Sequence, residues 1–256
     1  MHKKENTIKD SVPAIITFIL LVLIWEGADY ILKIREIVLP NPHEILQSII
    51  TNFSELIKDT YVTLLESILG FLVGSTLAVI IAILFVYSTN SMKALYPYVI
   101  AIKAAPIYAL APLLLLWFGN GITAKVMMSA LVAFFPVLVS SIKGFTAVDQ
   151  EAMDLFKSLS ATKTQVFCKL RLFNALGYIF PSLKVASTFA IVGATISEFT
   201  GASEGIGHLI ITASYYLDTS LLFAGVIMIS VAGTLLFYLI GAIENKVVFW
   251  NSGNLP

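Results

Sequence analysis

Four ionisable residues lie within or at the ends of strongly apolar runs: Glu66, Lys103, Lys184 and Glu198. A charge held at membrane depth is costly and usually has a function. Lys103 stands beside Ala104, Ala105 and Pro106. Two readings of it stand: a contact to an anion or carbonyl group of a solute, or a structural ion pair or snorkelling side chain. Lys184, near one end of its run, reads as snorkelling, and Glu66 as reaching the interface. Glu198 precedes Gly201, Gly205 and Gly207, which suit a tight turn. It could line an outer gate or simply begin that turn. Tyr108, Trp117, His208, Tyr215 and Tyr216 are either contacts to a solute or partner, or interface anchors. Lys103, Tyr108 and Glu198 are the candidate pathway residues.

Covalent chemistry has no such candidates. His2, His43 and His208 are far apart and Cys168 is alone, so no metal-ligand spacing or disulfide is expected. No histidine stands where a Ser or Cys nucleophile would need it, and no phosphate-binding G-x-x-x-x-G-K-[ST] is present. The chain reads as a non-enzyme that binds no cofactor of its own.

The elements that must hold these residues follow from composition. Of 256 residues, 58% are apolar and 12% charged, and mean hydropathy is +0.89. A soluble domain has about twice that charged fraction, so a soluble enzyme, a nucleic-acid binder or a disordered chain is excluded. Sixteen acidic residues balance sixteen basic ones, so net charge points to no partner. Long charge-free runs favour spanning helices over a barrel, whose strands would alternate. The expectation is an all-helical, polytopic integral membrane protein with about six spans: about 13–33, 61–87, 95–118, 126–142, 176–197 and 219–243. The third should be irregular, because Pro97, Pro106 and Pro112 interrupt it. Lys3, Lys4 and Lys9 open the chain, but Trp25-Glu26-Gly27 replaces a small-residue cleavage site. With both termini inside, inner segments hold ten lysines and arginines against four outside, as the positive-inside rule requires.

Spacing adds detail. Ser182, Ala186, Ala190 and Ala194 recur every four residues, and Gly70 and Gly74 do the same; small residues so spaced let helices approach closely. The outer segment, about 39–60, opens with Pro40-Asn41-Pro42 and carries Ile45, Leu46, Ile49, Ile50, Phe53, Leu56 and Ile57 at helical spacing, an interfacial amphipathic helix. The inner segment, about 144–175, is longer and more polar. Val148, Ala152, Leu155, Phe156 and Leu159 form one stripe of a short helix with acids near its start. That stripe either docks into a partner's groove or packs on the protein's own inner ends.

This segment resembles the cytoplasmic "EAA loop" of permease subunits of ATP-binding-cassette importers: Glu-Ala-Ala, three residues, Gly, nine residues, then Ile-x-Leu-Pro. The spacing places it on Asp154-Leu155-Phe156, Ser160 and Leu170-Arg171-Leu172-Phe173. Asp stands for Glu, Leu-Phe for Ala-Ala, Ser for Gly and Phe for Pro. "LPNPHEIL" resembles the family's "LPSPxEVL", "APLLLLWFGNG" its "APLxILWFGxG", and "EFTGASEGIGHLI" its "EFxGAxxGLGxLI". The similarity covers roughly residues 20–250 and is greatest to the nitrate, sulfonate, taurine and thiamine-pyrimidine-precursor branch.

The resemblance implies a type I importer permease in one transmembrane domain, residues 1–256, in a bacterial inner membrane. It implies a homodimer, two ATPase subunits that carry ATP and Mg²⁺, and an external binding protein. It assigns ATPase coupling to Asp154, Leu155, Phe156, Leu159, Ser160 and Ala161. Ser160 gives up a residue tolerant of left-handed angles, and Phe173 gives up a rigid turn. "SYYLDTSLLFAGVIM" and Lys103 near "ALAPL" lean towards pyrimidine-precursor or riboflavin-like solutes. The rival reading is an ion-coupled secondary carrier.

Overall fold

Among the described residues every regular element is helical. The structure, a computed structural model, describes residues 7–32 and 35–251; His2, Lys3, Lys4 and Lys33 lie outside them. In chain order the helices are α1 (Thr7–Leu32), α2 (Pro42–Thr51), α3 (Phe53–Tyr87), α4 (Thr89–Ala104), α5 (Ile107–Phe118) and α6 (Ile122–Thr146). There follow α7 (Gln150–Ser158), α8 (Lys163–Val166), a π turn (Phe167–Arg171), α9 (Leu172–Phe199), α10 (Ile206–Tyr215) and α11 (Thr219–Val247).

Among the described residues, four helices are long and apolar enough to cross a membrane: Phe53–Tyr87, Ile122–Thr146, Lys163–Phe199 and Thr219–Val247. The expected irregular third span, α4 with α5, is apolar enough as a pair but bends by 102° at its break, the geometry of a broken span or a re-entrant loop. Of its three prolines only Pro106 breaks the helix. Pro97 and Pro112 lie inside α4 and α5. Ala105, just before Pro106, takes the extended angles (φ −65°, ψ 140°) that a following proline imposes. The first expected span, about 13–33, falls in α1, whose apolar stretch, Ile15–Gly27, is shorter than the ~20 residues a span ordinarily needs.

Two expected boundaries move. The 61–87 span starts at Phe53, so the outer amphipathic segment divides at Asn52. Ile45 and Leu56 are buried there, while Leu46, Ile50, Phe53 and Ile57 are exposed. The 176–197 span starts at Lys163. Leu170–Phe173 therefore form no turn; they lie in one helix that includes the π turn.

The bundle is organised around α3, α6 and α9, and small residues set the approach. A Cβ on Gly70 would collide with Ser129, and one on Gly74 with the Ala130 carbonyl. Ser182, Ala186, Ala190 and Ala194 are all buried, so the four-residue ladder is a packing face. Ser129 Oγ donates to the Ala190 carbonyl at 2.8 Å, which ties α6 to α9 where the backbones are closest.

Candidate functional site

Three regions position the chemistry-bearing residues. The first lies at the end of the bundle where α3 and α6 begin and α9 finishes. The opening N–H groups of α10 have no intrahelical acceptor, and side chains of other helices accept from them. Gly205 N donates to Asp59 Oδ1 (3.2 Å), Ile206 N to Thr63 Oγ1 (2.8 Å) and Gly207 N to Glu198 Oε2 (2.5 Å). Thr63 Oγ1 in turn donates to Glu198 Oε1 at 2.7 Å. Gly205 has φ +103°, and any Cβ on it would meet the Glu198 carboxyl. Glycine is required there twice over.

Glu198 is 1% exposed. It is the acceptor that fixes this turn, and its carboxylate does not line any of the three cavities described here. Glu66 stands beside it and is buried too, contrary to the interfacial position expected. Lys125 Nζ lies 3.0 Å from Glu66 Oε1. Lys125 was counted among outer-loop charges, but it belongs to the first turn of α6 and is buried. Lys184 likewise does not snorkel: it pairs with Glu244 of α11 at 2.7 Å and lies 5.7 Å from the centre of the Phe237 ring.

The second region is an open cleft of about 430 Å³ between α5, α9, α10 and α11. Tyr108, Thr188, Thr195, Ser230 and Thr234 supply its polar groups, and no charged side chain lines it. Thr188, Thr195, Ser230 and Thr234 each give their hydroxyl proton to a carbonyl of their own helix, at 2.7–2.9 Å. Their lone pairs remain available, so these four hydroxyls accept but do not donate. Lys103 lines an adjoining, otherwise apolar cavity of about 260 Å³, and Val192 lines both. Lys103 and Tyr108 thus open onto neighbouring spaces; Glu198 does not join them.

The third region is α7 at the opposite end. None of its residues is buried. Ala152, Met153 and Phe156 are half-buried, whereas Leu155 is 58% and Leu159 69% exposed. The expected stripe therefore divides, with Leu155 and Leu159 facing out. Asp154 accepts from Lys157 Nζ (2.8 Å) and Gln150 Nε2 (3.0 Å). The Lys157 bond above all holds the carboxyl below the usual carboxylate range. Ser160 has φ +52°, the left-handed angle for which glycine is the usual residue. Ala161, half-buried, follows it.

A family model described as "Binding-protein-dependent transport system inner membrane component" matches residues 70–249. The chain belongs to this family. As a binding-protein-dependent permease it is similar to a "Probable ABC transporter permease protein" of Haemophilus influenzae, 32% identical over 90% of this chain and 94% of that one. It is also similar to the "Formylaminopyrimidine transport permease protein ThiX" of Halalkalibacterium halodurans, 30% identical over 91% of this chain and 93% of that one. In fold it resembles a chain of the inward-facing MetNI methionine ABC transporter, with a TM-score of 0.64, 14% identity and coverage of 77% and 95%.

The permease is thus an all-helical, multi-pass ABC importer permease and a transport subunit. Sequence reasoning missed its buried ion pairs. Their partners are some sixty positions apart (66 and 125, 184 and 244), and no local pattern links them.

Two expectations follow. Replacing Lys125 by Met leaves Glu66 charged and unpaired in the interior, which costs about 3–5 kcal/mol. The thermal midpoint in detergent should fall sharply. Lys58→Met, which removes an exposed pair with Glu204, should leave it in place. Equal midpoints would contradict the pairing. Ser160→Gly relieves left-handed strain and should stabilise the α7 connection by up to about 1 kcal/mol, seen as slower proteolysis between residues 158 and 163.

Proposed function

We propose that this permease forms half of the pathway of an ATP-driven importer. It pairs with a second copy, each copy docks its α7 onto a separate one of two ATPase subunits that hold ATP and Mg²⁺, and the pair takes solute from an external binding protein. Both termini face the cytoplasm. The outward-facing Leu155 on α7 and Leu159 at its end, on a helix with no fully buried residue, support the docking role. Apolar side chains so exposed suit a partner's groove. An ion-coupled carrier is disfavoured by the family, and by the partners that Lys125 and Lys184 already have.

One observation carries the substrate reading: the cleft presents four acceptor hydroxyls, a single tyrosine hydroxyl that can donate, and no charge. A sulfonate or nitrate needs donors or cations there. A flat, uncharged solute with N–H or O–H donors and an apolar body fits better. The ThiX relative, a formylaminopyrimidine permease by name, agrees with a pyrimidine-type or riboflavin-like solute over sulfonate, taurine or nitrate.

The docking role predicts that Asp154→Arg leaves the permease folded, with an unchanged melting midpoint, and abolishes ATP-driven uptake. Unchanged uptake would refute it. For the solute, cells carrying the whole transporter should accumulate a labelled aminopyrimidine and neither ethanesulfonate nor nitrate. Thr195→Val with Thr234→Val should lower that uptake about ten-fold, the loss of roughly one hydrogen bond's worth of binding, ~1.4 kcal/mol. ATP-dependent uptake of an anion instead would overturn the solute while leaving the importer intact.

A further inference from the structure

Behind α7 lies a cavity of about 320 Å³ with a different character from the cleft. Its walls come from Tyr87 at the end of α3, Met153 of α7, and Ala161, Lys163 and Arg171 on the way into α9. No acidic side chain lines it. Among the described residues Lys163 has no ion-pair partner. Arg171 makes one long bond, Nη1 to the Phe145 carbonyl at 3.4 Å. The nearby acid on α7, Asp154, is taken by Lys157.

The π turn puts the two cations on one wall. On an α-helix, positions 163 and 171 are roughly 80° out of line, since each residue turns about 100°. A π turn closes over more residues, so it turns the chain less per residue. Phe167–Arg171 adopt that turn, and it brings Arg171 back towards the face of Lys163. The turn is held by Phe167, whose ring lies 5.4 Å from Phe145 and 5.5 Å from Tyr87. The irregularity thus has a structural cause and a chemical result, a guanidinium and an ammonium opening on the same space.

We propose that this cavity binds a phosphate-type anion, from an anionic lipid headgroup or free in solution. Arg171 supplies a fork that matches two phosphate oxygens, and Lys163 a point charge. Met153 lies on α7 and Ala161 just beyond its end, so an occupant braces a helix otherwise lightly held. Binding here adjusts α7 independently of the solute cleft.

The test is native mass spectrometry of the permease in detergent, alone and assembled with its ATPase, with phosphatidylglycerol, phosphatidylcholine or inorganic phosphate. Phosphatidylglycerol should be retained about ten-fold better than phosphatidylcholine, a difference of ~1.4 kcal/mol. Lys163→Gln with Arg171→Gln should remove the preference. Lys163→Gln alone, which leaves the Arg171 bond to the Phe145 carbonyl in place, should weaken it with an unchanged melting midpoint. Displacement of the lipid by millimolar phosphate identifies the phosphate group alone as sufficient; resistance identifies the lipid as the source. Equal retention of the two lipids, or an undiminished preference in the double variant, overturns the proposal. So does exclusion of both ligands from the assembled complex, which would mean that an ATPase side chain occupies the cavity.

Discussion

The capture of the α10 N-terminus by Glu198, Thr63 and Asp59 is the constraint on which the arrangement of one end of the bundle depends. Three successive backbone donors would otherwise be buried without acceptors, each at about 1–3 kcal/mol. Their acceptors come from two other helices, so α3 and α9 must reach the same level and face each other for α10 to form there. That requirement brings three carboxyl groups, Asp59, Glu66 and Glu198, into one buried region. Lys125 then offsets the accumulated negative charge at 3.0 Å from Glu66, and so fixes where α6 begins. A turn, a charge pair and the register of three long helices are one linked solution.

Part of this was legible in the sequence because it repeats with the helix. The small-residue positions in α3 and α9 announce a close packing face, since four residues bring a side chain back to nearly the same side. The apolar runs announce the spans for the same local reason. The partners of Glu66 and Lys184 were not legible, because burial is decided by which helices meet. A glutamate near the end of an apolar run looks the same whether water or a lysine from another helix faces it. The proline-rich span shows a further limit. Pro97, Pro106 and Pro112 are alike in the sequence, yet only Pro106 follows a residue in extended conformation, and the 102° bend falls there.

The candidate sites were legible unevenly. Asp154, Leu155 and Ser160 were found by motif spacing, and Ser160 adopts the left-handed angle that its place in the motif requires even though the motif's glycine is missing. That agreement links the motif to backbone geometry rather than to side-chain identity. Phe173 gives up the motif's rigid turn, as its replacement of proline implied. Without proline there, the helix keeps its backbone donors and runs on, and the irregularity moves to the π turn at Phe167–Arg171. The cleft's four acceptor hydroxyls had no sequence signal, because a threonine's available hydrogen-bonding role depends on what its own helix has already taken.

The contrast between the two ends bears on mechanism. At the α10 end, buried charges and glycine contacts leave little freedom, and small displacements would break several interactions together. At the α7 end, a nine-residue helix has no fully buried residue, and Leu155 on it and Leu159 just beyond it stand in the open. A rigid bundle transmits movement only where something grips it, and the grip must be on a surface free to be covered. α3 and α6 are joined along their length by interlocked small residues. On the proposed docking role, a push on α7 passes along the chain to α6 at one side and, through α8 and the π turn, to α9 at the other. Since α9 carries Thr188 and Thr195, two of the four cleft hydroxyls, together with Glu198, one helix connects the α7 end to the cleft and to the captured turn beyond it.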